Sequence, residues 1–194
     1  MLLLASRSTA RRAMLESAGV PFEAVDSRTD EDAAKLALRA QGADAARLAL
    51  GLAAAKAAGV DGGGLVLGAD STLALADGTM LDKPSSRAEA ETHLRLLSGA
   101  RHQLHSAAVL MRDGQEIWSH VGTATMTVRP LSGEFIRTYL DLEYQAVRWS
   151  VGCYHLEGRG AQLFEEVEGS HFVVLGLPLL PLLAELRNQG VLQS

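Results

Sequence analysis

The chain is poor in the residues on which several common kinds of protein depend. Its 194 residues include one cysteine, Cys153, so no internal disulfide can form and a reducing, cytoplasmic setting is expected. Aromatic side chains make up only 5%. Trp118, Trp149, Tyr139 and Tyr154 are too scattered to form a stacking surface for nucleic acid, and they are expected in the core. Positive charge is not in excess. The net charge is -5, whereas binders of duplex DNA or membrane surfaces are usually basic. No apolar run suffices to span a bilayer, because Phe172 to Leu183 is interrupted by Gly176, Pro178 and Pro181. Arg7, Arg11 and Arg12 break the apolar start, which lacks the make-up of a signal peptide. There is no P-loop and no nucleophile elbow. His102 and His105 stand three apart in an expected strand, so they point to opposite faces and argue against a zinc set.

What remains is an alternation of short apolar runs with amphipathic stretches, the pattern of an α/β protein. Strands are predicted at Met1 to Ala5, Phe22 to Val25 and Leu65 to Gly68, the last ending at Asp70 with Ser71 to Ala76 extended beyond it. Two long strands, His102 to Met111 and Glu116 to Val128, are joined at Asp113-Gly114, a hairpin signal. Helices are predicted from Thr9 to Ala18, Glu31 to Ala40, Ala43 to Ala58, Ser86 to Leu97, Ser132 to Leu140 and Pro178 to about Gln189. Ser86-Arg87-Ala88-Glu89 has capping-box spacing. Gly62-Gly63-Gly64 reads as a loop, and the glycine-punctuated stretch from Gly152 to Gly169 reads as short strands. No linker or repeat divides the chain, so one domain over residues 1–194 is expected.

The residues that could do chemistry are spread along this framework. At the start, Ser6, Arg7, Ser8, Arg11 and Arg12 stand where an apolar strand runs into a helix. A helix N-terminus offers unpaired N–H groups and a positive dipole end, and hydroxyls and guanidinium forks beside it suit a phosphate. An ordinary hydroxyl cap with basic neighbours is the competing reading. Asp70 follows an apolar strand, where open α/β sheets place ligands. It could bind a divalent cation, take a proton from water, or simply cap a turn. Lys83 is held extended by Pro84. Lys56 sits alone in an alanine-rich helix, either for solubility or for a ligand. Asp30-Glu31-Asp32 either favours a helix N-terminus or contributes to a metal site.

The order of these pieces resembles the Maf family of nucleoside triphosphate pyrophosphatases. It runs Leu4-Ala5-Ser6-Arg7-Ser8 with Arg11-Arg12, Asp30-Glu31, Lys56, Gly68-Ala69-Asp70, Lys83-Pro84, and Leu97-Ser98-Gly99 with His102. It continues with Gly152-x-Tyr154, Glu157-Gly158-x-Gly160, Gly169-Ser170 and Gly176-Leu177-Pro178-Leu179. The resemblance covers nearly the whole chain. It implies a central mixed twisted sheet flanked by helices, with two lobes and an active-site cleft between them. It implies cleavage of the α–β phosphoanhydride of nucleotides, a divalent cation (Mg²⁺ or Mn²⁺) and a homodimer. Asp70 matches the proton acceptor, with Lys56 and Lys83 also catalytic. Ser8, Arg11, Arg12, Ser71 and Glu157 match substrate-binding positions, and Glu31 with Asp70 matches the acids near the metal. Thr9, Ala10, Gly51 and Ala55 depart from the family's usual residues.

The resemblance also frames the choice of base. Glu157 stands where one branch of the family has glutamine and another glutamate. A carboxylate only accepts hydrogen bonds, which suits the adjacent N1–H and N2–H donors of guanine. That leans toward 7-methyl-GTP, with dTTP or UTP as the alternative. A nucleotide-sensing regulator of division or septum formation is the reading from another class.

Overall fold

Five helices begin as their sequences direct. Ser8, Asp30, Asp44, Ser86 and Ser132 each stand just before a helix and accept a hydrogen bond from the backbone N–H three residues on. A computed structural model of the chain describes residues 1–61 and 63–193; Gly62 of the expected glycine loop lies outside them. The elements are β1 (Leu2–Ala5), α1 (Thr9–Ser17), β2 (Phe22–Ala24), α2 (Glu31–Ala40), α3 (Ala45–Ala58), β3 (Leu65–Leu75) and β4 (Met80–Leu81). They continue with α4 (Arg87–Leu97), β5 (Arg101–Arg112), β6 (Gln115–Val128), α5 (Gly133–Val147), β7 (Phe164–Glu168), α6 (His171–Val174) and α7 (Leu179–Asn188).

The strands form one mixed sheet in the order β2-β1-β3-β5-β6-β7, with β4 paired to β3. β1 pairs in parallel with β2 and β3; β4 on β3 and β7 on β6 are antiparallel. The β5–β6 connection is the expected two-residue turn, with both Asp113 and Gly114 at positive φ (52° and 77°). Among the described residues, no helix is long and apolar enough to cross a membrane.

Four expectations need correction. β3 does not end at Asp70 but runs unbroken to Leu75, because pairing with β4 at Leu73↔Leu81 and Ala74↔Met80 extends the ladder. α5 continues past Leu140 to Val147, with Ile136, Leu140 and Val147 all buried on one stripe. The stretch from Gly152 to Gly169 forms two 3₁₀ turns, Val151–Cys153 and Arg159–Leu163, and a single strand, β7. Trp149 is not core: it is 68% exposed, with the Arg148 guanidinium 4.7 Å above its ring. Tyr139 and Tyr154 are buried as expected, and Trp118 packs partly buried against the core.

The chain divides into two compact units. The first comprises Met1–Ser71, His105–Gly122 and Ser170–Ser194. Side chains alternate across its strands, so each strand feeds two cores. Leu2, Leu4, Leu65, Leu67, Ala69, Ala108 and Leu110 meet Met14 and Leu15 of α1 and Leu179, Leu182 and Leu186 of α7. The intervening Ala5, Val66, Ala107, Val109 and Met111 meet Ala49, Ala53 and Ala57 of α3. The alanines and Gly68 let α3 lie very close to β3. A Cβ built at Gly68 would stand 2.0 Å from the Ala53 carbonyl oxygen and 2.8 Å from the Ala57 nitrogen.

The second unit comprises Thr72–Leu104 and Thr123–Gly169. Its interior holds Leu94, Leu97, Ile136 and Leu140 together with a buried polar pair. His102 Nε2 lies 2.7 Å from the Tyr154 hydroxyl, and the Phe164 ring packs edge-on against Tyr154 at 4.8 Å. Burial drives the His102 imidazole down to about 4 and the Tyr154 phenol up.

Two stability predictions follow from these contacts. Gly68→Ala puts a methyl group against backbone atoms that cannot step aside, so it is expected to destabilise the protein by about 1–3 kcal/mol, read from urea unfolding. His102 is neutral in both states above its unfolded value near 6.5. Below that pH the unfolded chain takes a proton that the native state refuses until about 4. Stability attributable to His102 therefore falls as pH drops from about 6.5 to 4, by roughly 3 kcal/mol in total. Denaturant titrations at pH 7 and pH 4 check this: the wild type should lose more stability over that span than His102→Gln.

Candidate active site

The register of β3 decides which way its polar residues face. Val66 and Gly68 face α3, so Asp70, the next of that parity, does too. There its Oδ1 lies 2.5 Å from Lys56 Nζ of α3. Lys56 Nζ also lies 3.1 Å from Glu31 Oε2, at the start of α2. The Asp70 and Lys56 side chains are only 10% and 13% exposed, whereas Glu31 is 41% exposed. A charge this far from water persists when it is paired. Lys56 thus supplies one ammonium to two carboxylates.

Glu31 reaches this position because the chain before it is tied to the end of α3. The Thr29 hydroxyl donates to the Ala55 carbonyl at 2.7 Å, and Arg28 N–H donates to the Gly59 carbonyl at 2.9 Å. Gly59 is required there, since a Cβ would fall 2.4 Å from Thr29 Oγ1 and 2.5 Å from Ser27 Oγ. The members of the acidic triplet have separate contacts. Asp30 caps α2 through the Ala33 N–H, Asp32 is exposed, and Glu31 turns to Lys56.

Ser71, one residue past Asp70, faces the other side of the sheet and meets α1. Arg11 is buried there and held by three of its nitrogens. Nε donates to the Gly176 carbonyl at 2.8 Å, Nη2 to Ser71 Oγ at 2.9 Å and Nη1 to Ser6 Oγ at 3.4 Å. Gly176, at φ +110°, passes over the guanidinium so closely that a Cβ would lie 3.3 Å from Nε. Burial lowers the Arg11 value, and the charges of Asp70 and Glu31 oppose that shift. The four groups are therefore electrostatically linked: two acids, Asp70 and Glu31, against two cations, Lys56 and Arg11.

The other residues of the opening segment have local duties. Ser8 Oγ caps α1 by accepting from Arg11 N–H at 3.4 Å. Arg12 donates to the Ser6 carbonyl from Nε and Nη2 at 3.4 and 3.3 Å, and Arg7 pairs on the surface with Asp26 at 2.8 Å. Seven of the expected site residues, Ser8, Arg11, Arg12, Glu31, Lys56, Asp70 and Ser71, belong to the first unit. Lys83 and Glu157 belong to the second. Lys83 is exposed between β4 and α4 with buried Pro84 behind it, and Glu157 is exposed in a turn.

Sequence reasoning missed Ser106, Ser27 and Thr29. Ser106 lies in an apolar strand, and Ser27 and Thr29 carry no motif. Ser27 and Thr29 are signalled only as small hydroxyls just before the acidic triplet, and Ser106 has no signal.

The donor set suits one kind of cation. Among the described residues, no group of three or more histidine, cysteine, aspartate or glutamate side chains is placed to hold a metal, which disfavours an all-protein cage. Asp70 and Glu31, close enough to share one ammonium, fit a small hard dication that takes one or two carboxylates and completes its shell with phosphate oxygens and water.

Comparisons with known proteins place the whole chain. The Maf-like protein family matches residues 1–189. The chain is 48% identical over 193 residues to a nucleoside triphosphate pyrophosphatase of Sphingopyxis alaskensis, covering 98% of each. It is 48% identical over 198 residues to a 7-methyl-GTP pyrophosphatase of Rhizobium meliloti, covering 100% of this chain and 98% of that one. It is 49% identical over 196 residues to a 7-methyl-GTP pyrophosphatase of Mesorhizobium japonicum, again covering 100% and 98%. With a match over nearly its full length and relatives at about 48% identity, this chain belongs to the Maf-like protein family.

Proposed function

We propose that the chain is a nucleoside triphosphate pyrophosphatase, adding water across the α–β phosphoanhydride to release a nucleoside monophosphate and pyrophosphate. The observation that carries this reading is Lys56 Nζ held between Asp70 and Glu31, with the buried Arg11 guanidinium across the sheet within reach of the field of both acids. The family membership and the names of the relatives support it. Before substrate arrives, the two acids and two cations cancel. A nucleoside triphosphate carries roughly four negative charges near neutral pH, enough to draw Lys56 and Arg11 into charge-assisted hydrogen bonds of about 1.5–3 kcal/mol each. Three N–H bonds of Arg11 are committed to protein, which leaves two of its five for a phosphate oxygen.

As Lys56 turns to phosphate, the Asp70 carboxylate is released from its partner. It then accepts the proton of the attacking water, within a wall of buried side chains where that charge acts strongly. Glu31 and Asp70 would hold a divalent cation, Mg²⁺ or Mn²⁺, which when bound neutralises phosphate charge and makes coordinated water more acidic. Ser8 sits at the α1 N-terminus with its hydroxyl hydrogen available to an anion, and Arg12 adds positive charge nearby. Lys83 and Glu157 are assigned to the leaving pyrophosphate and to the base, on their match to the family pattern. Glu157 favours a purine that presents adjacent donors, so 7-methyl-GTP is the preferred substrate, as in two of the relatives named above. We further assign the protein to the cytoplasm as a homodimer.

Two measurements test this. Asp70→Asn is expected to cut pyrophosphate release at least about 100-fold, the scale of a lost general base, while far-UV circular dichroism stays native. Unchanged turnover in the folded variant would refute the role. A kinetic panel of 7-methyl-GTP, GTP, UTP and dTTP should show the methylated nucleotide hydrolysed best. Glu157→Gln should move the preference toward UTP or dTTP; a wild-type preference for UTP would overturn the assignment of Glu157.

A further inference from the structure

The contacts behind Arg11 form a closed circuit through four separate parts of the first unit. The Ser106 hydroxyl of β5 lies 2.7 Å from the Val173 carbonyl of α6. A carbonyl can only accept, so Ser106 spends its one hydrogen there. Ser71 Oγ lies 2.8 Å from Ser106 Oγ. With the Ser106 hydrogen committed, Ser71 must donate to Ser106. Ser71 in turn can only accept from Arg11 Nη2, at 2.9 Å. The order of hydrogens is thereby settled: Arg11 to Ser71, Ser71 to Ser106, Ser106 to Val173. Three residues past Val173, the Gly176 carbonyl takes Arg11 Nε at 2.8 Å and closes the ring.

Ser106 therefore acts on Arg11 twice. It orients the Ser71 hydroxyl so that its lone pairs face Nη2. It also anchors α6, from which the chain leads to the Gly176 carbonyl at Nε. Ser106 is itself only 1% exposed, so no water can take over either contact from outside. The approach of α6 is allowed by Gly122 of β6, where a Cβ would stand 2.5 Å from Val173 Cγ2. Aligned hydroxyl dipoles with their negative ends toward the guanidinium also help keep a buried arginine charged.

We infer that Ser106 is a positioning residue for polyphosphate binding: through Ser71 and the Val173–Gly176 segment it fixes the Arg11 fork so that its remaining N–H bonds face an incoming phosphate. This inference rests on the reading of the site as one for nucleoside triphosphates, and deepens it.

The test is equilibrium binding of inorganic pyrophosphate by calorimetry. It needs no turnover, and is run beside kinetics on whichever of GTP, 7-methyl-GTP, UTP and dTTP is hydrolysed best. Ser106→Ala and Ser71→Ala should each raise the pyrophosphate dissociation constant and lower kcat/KM by about tenfold. The double variant should be no more than about twofold worse than either single, because both break one circuit. Ser71→Thr, which keeps the hydroxyl, should stay within about threefold of wild type. Ser106→Ala that binds pyrophosphate like the wild type overturns the inference, as does a double variant in which the two losses multiply. If Ser106→Ala fails to fold, unchanged binding by Ser71→Ala overturns it. A wild-type protein that binds pyrophosphate but hydrolyses no nucleotide refutes the pyrophosphatase reading alone, and the variants still decide the role of Ser106. A wild-type protein that binds no pyrophosphate refutes both.

Discussion

The ammonium of Lys56 is the point on which the arrangement depends. A carboxylate within a strand, mostly hidden from water, is stable in charged form only with a counter-charge close by. Asp70 has that counter-charge because α3 lies on β3 with no side chain between them at Gly68. The same ammonium draws in Glu31, whose approach is secured by the Thr29 and Arg28 contacts to the end of α3. Backbone packing, loop anchoring and charge pairing are thus one problem with one solution. Remove the close approach of helix and strand, and the acids are left facing each other.

Arg11 belongs to the opposite face of the sheet but to the same electrostatic group. Its burial disfavours charge, and Asp70 and Glu31 oppose that effect in part. Such a set is neutral when empty yet can be reapportioned. In the proposed reaction, an anion that takes the cations leaves the acids to a metal ion and to water. The anionic character of the whole chain is no obstacle, because at a buried site local pairing outweighs net charge, which acts at longer range and is screened by salt.

Much of this was legible in the residues. Ser8, Ser86 and Ser132 announced their helices as caps and the acidic run at Asp30 marked another, whereas Asp44 was read as lying inside the helix that it caps; Asp113-Gly114 announced its hairpin because both positions need positive φ. Lys56, Asp70, Glu31 and Arg11 could be named as candidates but joined only through the family resemblance, since they come from four elements whose meeting is a tertiary event. The extended run beyond Asp70 was read, but a strand end was placed at Asp70 because polar residues in a strand look like its end when their partners are unknown. The stretch after Gly152 was misread because Gly152 and Cys153 both take positive φ (80° and 59°), which turns the chain where strands were expected. Ser106 gave no signal: a serine before a run of alanine and valine reads as filler until Val173 and Ser71 are seen beside it. Trp149 was assigned to the core on composition, yet a guanidinium can hold an indole at the surface.

The neighbours Asp70 and Ser71 share a peptide bond but serve different layers of the molecule. That adjacency makes the length of β3 upstream unforgiving. Inserting or deleting a single residue between Leu65 and Ala69 would hand the carboxylate to the arginine and the hydroxyl to the lysine, exchanging the two halves of the machinery in one stroke. The parity of this short stretch of strand keeps the two apart.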